Sequence, residues 1–380
     1  MPVVFCPLLI DFAMTNDLLY QLALTQVPQI GCVQAKLLIQ QFHSAEAIFK
    51  AKASDLERTE GIGSVRARCI KTFNQFTQAE KEIAFIEKHK IKPLFLNQPG
   101  YPQRLLHCYD SPTLLFYRGQ TDLNAARIIA VIGTRNNSTY GKQITENLIR
   151  ELANYEVLVV SGLAFGIDAI AHRTALKHNL HTVGVLAHGL ESLYPSEHVN
   201  LAKEMIQQGG GLLTEFYSDV TAEKHHFPVR NRIVAGMCDA VIVAETGVKG
   251  GSMITADLAN GYNRDVFAFP GKITDAKSAG CNALIKNNKA ILLTETQELA
   301  EIMGWSMPVT RKHQPQKELF VNLNSTEKTI VDILSEKQLV HLDELNLRCG
   351  LSSSSMAAAI LNLELQNIVQ VLPGKMYQLL

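Results

Sequence analysis

The 380-residue chain has no net charge, its 36 lysines and arginines being balanced by 36 aspartates and glutamates. That absence excludes a protein held to nucleic acid or anionic lipid by its overall field, so any anion site has to be a local patch. The seven cysteines (Cys6, Cys32, Cys69, Cys108, Cys238, Cys281 and Cys349) are odd in number, scattered and never spaced as CxxC. Such spacing supports neither a disulfide framework nor a zinc site, and it fits a reducing, cytoplasmic setting. No stretch is long and apolar enough to span a bilayer. The opening MPVVFCPLLIDFA lacks the basic start and cleavage-like end of a secretion signal, and reads as a ragged extension before Met14.

What is present is a chain 47% hydrophobic, enough for one large core and one or two smaller domains. Residues 1–90 read as a helical domain of leucine-rich amphipathic stretches. It holds two similar breaks, VPQIGCVQAKLLIQQF from Val27 and TEGIGSVRARCIKTF from Thr59. The second has the glycine pair, Gly61 and Gly63, of a helix-hairpin-helix turn that can offer N–H groups to a phosphate. The first lacks one of these glycines, and both breaks are equally readable as ordinary turns. Pro99 to Gly119, rich in proline and aromatics, reads as an irregular connector.

From Ile128 the pattern changes to short β-branched runs alternating with helical periods: RIIAVIG, EVLVVSG, HTVGVLAHG, GLLTEF, DAVIVAE, DVFAFPG and KAILLT. Strand and helix in series predict an α/β domain over residues 91–305, a Rossmann-like parallel sheet covered on both faces. Residues 306–324 are polar with two prolines and read as a linker. Residues 325–380 have the order of a winged-helix domain, closed by a hairpin around Pro373 and Gly374. Only Lys328, Lys337, Arg348 and Lys375 stand against six acidic residues there. A DNA-reading helix is basic, which favours docking or a structural role for this domain.

In open parallel sheets ligands bind beyond the carboxyl ends of the strands. After the first run comes GTRNNSTYG, where Gly133 permits close approach, Thr134 and Ser138 supply hydroxyls and Arg135 supplies a forked donor. After the second comes SGLAFGID, with Ser161, Gly162, Phe165 and Gly166 at a helix start. After the fifth comes Lys249, Gly250, Gly251 and Ser252 at another. Each loop alone is a plain glycine-rich turn; together they predict three helix N-termini cradling phosphate.

Catalytic motifs are sparse. There is no GxGxxG with a ribose-binding acid, no GK[ST] ending and no GxSxG elbow around Ser161, where Val159 replaces the first glycine. Asp168 and His172 lie four apart on one helix, an acid–base pair in principle but more simply a capping aspartate and a neighbouring histidine. His225 and His226 have no partner at metal-ligand spacing. No catalytic residue, cofactor or metal is expected.

The segments YPQRLLHCYDSPTLLFYRG, VIGTRNNSTYG, SGLAFGIDAIAHRTAL, GLESLYPSEH, FPVRNRIVAG, GGSMITADLA and FPGKITDAKSAGCNALI, collinear from Tyr101 to Trp305, resemble the DNA processing protein A (DprA/Smf) family. The resemblance implies a non-enzymatic binder of single-stranded DNA. It implies a homodimer formed through the Rossmann-like domain, and delivery of incoming strands to the RecA recombinase during natural transformation. It also implies a helical N-terminal and a winged-helix C-terminal domain. Two positions depart from the family pattern: Phe165 replaces an arginine and His198 an asparagine. Phe165 either packs inward or offers a stacking face to a base.

In HHFPVRNRIVAG, helix geometry sets Arg230 and Arg232 about 200° apart, so one ligand cannot take both. With a helix starting near Val229 and a buried stripe of Val229, Ile233 and Met237, Arg230 is expected beside Lys224 at the crevice mouth, touching phosphate. Arg232 is expected to be a strut paired with a carboxylate. Phe227 and Asn231 complete the expected DNA-binding set. An alternative is a nucleotide-hydrolysing enzyme of the lysine-decarboxylase-like fold, with Asp257 in place of the catalytic glutamate. Another is an adaptor whose terminal domains carry the binding.

Overall fold

The β-branched runs pack as strands because most of their residues are buried among apolar neighbours on the two faces of the sheet. In the computed structural model they become β3 (Ile128–Gly133), β4 (Leu158–Ser161), β5 (Thr182–Val185), β6 (Gly211–Thr214), β7 (Ala240–Glu245), β8 (Asp265–Ala268) and β9 (Ile291–Leu292). These run parallel in the spatial order β6-β5-β4-β3-β7-β8-β9. The structure describes residues 7–305, 323–337, 340–366, 368–372 and 375–379. It divides into two compact units, residues 1–309 and 310–380.

Alternate residues of β3 serve opposite cores, as the two-residue period of a strand requires. Ile128, Ala130 and Ile132 pack with Ile233, Val234, Ala256 and Ala259 from α11 (His226–Gly236) and α12 (Gly251–Gly261). Ile129 and Val131 pack with Leu148, Ile149 and Leu152 of α8 (Thr139–Leu152) and with Ala171 and Ala175 of α9 (Ile167–Lys177). Each large side chain so buried contributes about 1.5–3 kcal/mol. Because β4 to β6 extend the sheet on one side of β3 and β7 to β9 on the other, the loops after β3 and β7 diverge. A crevice opens between them.

The connector expected at Pro99–Gly119 is partly strand. Lys92–Phe95 (β1) and Leu114–Gly119 (β2) pair antiparallel, and β2 joins β6 antiparallel, making a nine-stranded sheet. Pro93 hid the first, since a proline in a run counts against a strand unless it lies at a sheet edge, where β1 sits. Among the described residues six helices precede β1: α1 (Pro7–Gln26), α2 (Cys32–Phe42), α3 (Ala45–Lys50), α4 (Ala53–Glu57), α5 (Gly63–Thr72) and α6 (Phe76–His89). Helix α1 covers residues 7–13 of the expected extension before Met14; residues 1–6 lie outside the described residues. The helical core is continuous with Phe95, Leu114 and Phe116 of the edge strands. Gly61 at φ 76° and Gly63 at φ 59° make the second break, and Gln29 at φ 63° takes the left-handed turn in the first, where Gly61 stands in the second.

In the second unit, α15 (Ser325–Glu336), α16 (Leu342–Cys349) and α17 (Ser353–Leu365) surround a core of Ile330, Leu334, Leu345, Met356 and Leu363. A small sheet orders β10 (Val340–His341), β12 (Met376–Leu379) and β11 (Val369–Leu372) as β10-β12-β11. Ser352 caps α17 by accepting from the Ser355 N–H at 3.2 Å. Asn324 caps α15 and Leu323 packs on the core, so the expected linker ends two residues early; residues 306–322 and the Pro373–Gly374 turn lie outside the described residues.

Candidate nucleic-acid interface

Helix α11 starts at His226, three residues before the expected point, with Pro228 in the first turn, where the missing N–H is not needed. Its buried side is Arg230, Ile233, Val234 and Met237, while Val229 is 40% exposed. The stripe is therefore shifted by one residue, and both arginines turn into the protein on different sides.

Arg232 pairs with Glu215, just beyond β6, and donates to the Asp110 carbonyl. This is the expected strut. Burial pushes the Glu215 carboxyl up to about 6 against the pull of Arg232. Arg230 is not at the mouth beside Lys224. Only 4% exposed, it lies in the crevice floor. Its Nη1 donates to the carbonyls of Gly162, at 2.5 Å, and Val185, and its Nε donates to Asn231 Oδ1 at 3.1 Å. A side chain at Gly162 would collide with this guanidinium, so the glycine serves close packing rather than ligand approach. Burial lowers Arg230 to about 10; Asp168 opposes that shift and Arg135 adds to it.

The crevice has a volume of about 320 Å³. Gly133, Thr134, Arg135, Gly162, Phe227 and Arg230 line it, with Asn231, Gly250, Gly251 and Ser252 completing the expected residues that the fold brings together there. The exposed Arg135 guanidinium lies 5.0 Å from the Phe227 ring centroid, in cation–π contact. A smaller cavity adjoins, sharing Arg135, Gly162, Phe227 and Arg230 and adding Phe165 and Tyr194.

Three helices do begin at this edge, as expected, but at two of them carboxylates already take N–H donors in or just before the first turn. At α8, Glu245 accepts from the Ser138 N–H at 2.7 Å and from its hydroxyl at 2.5 Å, and Ser138 caps Gly141. The Ser138 hydroxyl is thus spent. At α9, Asp168 accepts from the Gly162 and Ala164 N–H groups at 3.2 and 3.4 Å, and the Ile167 N–H goes to the Thr134 carbonyl. Burial raises the Asp168 carboxyl, with Arg230 and these N–H groups pulling the other way. The cap of α12, Gly250, carries no side chain, so its first N–H groups keep their partial positive charge for a ligand.

Other expected residues lie elsewhere. Ser161 is fully buried and its hydroxyl donates to the Val131 carbonyl at 2.6 Å. Gly166, at φ 76°, precedes α9 and packs on the Thr134 carbonyl. Lys224 and Lys249 are exposed and do not line the crevice. Phe165 is 41% exposed and meets His198 edge-on at 4.9 Å between ring centroids, so the two departures from the family pattern touch each other. Asp257 pairs with Lys289 at 2.8 Å on an exposed face and does not line the crevice, which leaves the hydrolase alternative without its carboxylate.

Asp168 and His172 have separate partners. The Thr182 hydroxyl donates to the Val159 carbonyl at 2.9 Å, so the 2.6 Å contact between it and His172 makes Nδ1 the protonated ring nitrogen. His172 Nε2 is buried without a partner, and burial, with His198 and Arg230 adding, lowers the imidazole to about 3. Tyr194, 53% exposed with its ring 6.0 Å from Phe227, was missed, as was Glu245. A carboxylate ending a strand opposite a capping serine is a readable signal for Glu245, whereas nothing local marks Tyr194. Among the described residues no cluster could hold a metal ion and no helix is long and apolar enough to cross a membrane.

Residues 92–304 match the family model for DNA recombination-mediator protein A, 314–375 the DprA winged helix domain and 18–83 a helix-hairpin-helix motif. The chain is 32% identical to the protein Smf of Synechocystis sp. over 94% of its own length and 98% of that protein. It is 42% identical to the DNA processing protein DprA of Streptococcus pneumoniae over 53% of this chain and 71% of that one. The X-ray structure of the S. pneumoniae protein matches with a TM-score of 0.62 at 31% identity, covering 76% of this chain and 98% of that chain. The Helicobacter pylori protein, described for its single-stranded DNA binding mode, matches with a TM-score of 0.52 at 30% identity, covering 57% and 98%.

Two stability measurements check this geometry. Arg232→Ala strands Glu215 in the interior and is expected to cost about 3–5 kcal/mol in chemical denaturation. His172 has a depressed folded-state pKa, so its contribution is present above its ordinary value of 6.5 and is lost as pH falls toward about 3. Relative to His172→Gln, the wild type should lose about 1 kcal/mol between pH 6.5 and pH 5.5, compared through denaturation midpoints. Equal pH profiles for the two would contradict the buried neutral assignment.

Proposed function

The chain belongs to the DNA processing protein A family, and from that premise we propose that it binds single-stranded DNA in the crevice at the carboxyl ends of β3, β4 and β7. Backbone phosphates are held by Arg135, the Thr134 hydroxyl and the N-terminus of α12, over a floor whose field is set by Arg230. Bases stack on the rim rings Phe227, Tyr194 and Phe165. The observation that carries this reading is the exposed Arg135 guanidinium over Phe227, 5.0 Å from its ring centroid, at the mouth of a crevice that meets an uncapped helix N-terminus. A cation beside a partly exposed ring is what a strand with unpaired bases needs, because the phosphate meets charge while the base meets a π-face.

Such contacts hold backbone and read little sequence. The likeness to the H. pylori protein supports the ligand assignment. The family resemblance supports the further steps: a homodimer that protects incoming strands and hands them to the RecA recombinase during transformation, with no reaction of its own.

Fluorescence anisotropy on an oligo-dT strand tests the reading. Affinity should fall with salt at about −0.7 per phosphate contact in a log–log plot, and Arg135→Ala should make that slope shallower by roughly one contact. Phe227→Leu should cost about 1–3 kcal/mol of binding with the slope unchanged. Removing residues 306–380 should leave most of the binding intact; its loss would move the function to the winged-helix domain. Absence of binding by the wild type at low salt refutes the proposal.

A further inference from the structure

Helix α6 does not line the crevice, yet one of its side chains reaches the loops that build it. Glu82 is 4% exposed. Its two carboxylate oxygens accept from the Ser218 N–H at 3.1 and 3.2 Å, and one also accepts from the Ser218 hydroxyl at 2.7 Å. The adjacent Tyr217 donates its hydroxyl to the Leu22 carbonyl of α1 at 2.9 Å and packs its ring edge-on to Phe116. The segment between β6 and α11 is therefore clamped to the helical region from two sides.

That clamp continues to the rim. The Gly189 N–H donates to the Val220 carbonyl at 2.8 Å and the Glu191 N–H to the Ser218 carbonyl at 3.3 Å, so the loop after β5 lies backbone to backbone on the clamped segment. A side chain at Gly189 would collide with the Tyr217 and Ser218 carbonyls. His188 fixes the far end of this loop. Its Nδ1 donates to the Gly189 carbonyl at 2.7 Å while Nε2 accepts the Tyr194 N–H at 3.1 Å. Tyr194 then meets Phe227, and Phe227 meets Arg135. An unbroken series of contacts thus runs from Glu82 to the cation at the crevice mouth.

We propose that the N-terminal helical region is a positioning element for the crevice, with Glu82 as the positioning residue that holds the Tyr194–Phe227 wall in place through Ser218. The inference rests on the crevice binding single-stranded DNA. Charge-assisted bonds to a buried carboxylate are among the stronger non-covalent ties, and this one spans 136 positions of the sequence. The wall's geometry is therefore fixed by a helix that makes no contact with the ligand.

Anisotropy on oligo-dT with the full-length chain tests it, in a cycle of wild type, Glu82→Ala, Phe227→Leu and the double variant. Glu82→Ala should bind about fivefold more weakly with an unchanged salt slope, because the phosphate contacts are not moved. In the Phe227→Leu background the same substitution should have a smaller effect, since only Tyr194 remains of the wall it positions. Glu82→Gln, which keeps an acceptor for the Ser218 N–H, should recover part of the loss. Ser218→Ala, which removes only the hydroxyl bond, repeats the measurement if Glu82→Ala does not fold. Full affinity of these variants, an equal loss in the Phe227→Leu background, or a smaller active fraction at unchanged affinity would each overturn the positioning role. Absence of binding by the wild type would instead overturn the DNA reading on which it rests.

Discussion

Helices α8, α9 and α12 all begin at one edge of the sheet, and their leading N–H groups have no partners within their own helices. A parallel sheet wound in both directions from a central strand forces this convergence of positive ends, and the architecture depends on how it is resolved. Glu245 meets α8 and Asp168 meets the loop entering α9. α12, entered through Gly250 and Gly251, has no side-chain cap. The open start of α12 and Arg135 thereby line the same crevice.

Two arginines one turn into α11, Arg230 buried and Arg232 partly so, hold this arrangement in place, although burying a guanidinium costs several kcal/mol before its partners are counted. Arg232 recovers the cost through Glu215 and the Asp110 carbonyl, tying α11 to the end of β6 and to the connector before β2. Arg230 recovers it through the carbonyls of Gly162 and Val185, which end β4 and β5 on the crevice side. The same guanidinium is a tie between strand ends and a positive charge under the ligand's place. Its depression toward 10 still leaves it charged at neutral pH.

Above this floor the rim is assembled from pieces far apart in the chain. Phe165 from the loop after β4 covers His198, Tyr194 from the loop after β5 meets Phe227 at the start of α11, and Arg135 from the loop after β3 lies on Phe227. Phe165 and His198 meet as an edge-on ring pair, and Phe165 keeps 41% of its surface exposed. Exposed rings of this kind are costly on a surface unless a ligand covers them.

The parallel strands from RIIAVIG to KAILLT, the helices between them and the winged-helix order were legible in the sequence, because a fully buried strand and an amphipathic helix each write their period into neighbouring residues. The glycine-rich loops at the strand ends were legible for the same local reason, as was the need for Arg230 and Arg232 to diverge. What they diverge toward was not: the carbonyls of Gly162 and Val185 lie 68 and 45 positions from Arg230. The same distance concealed Glu245 as the cap of α8, Tyr194 as part of the rim, and Ser161 as a buried donor rather than a ligand contact. Local pattern determined which elements form and where a crevice would open. Only tertiary packing decided which donors inside it are already satisfied, because satisfaction of a buried polar group depends on partners that sequence spacing does not encode.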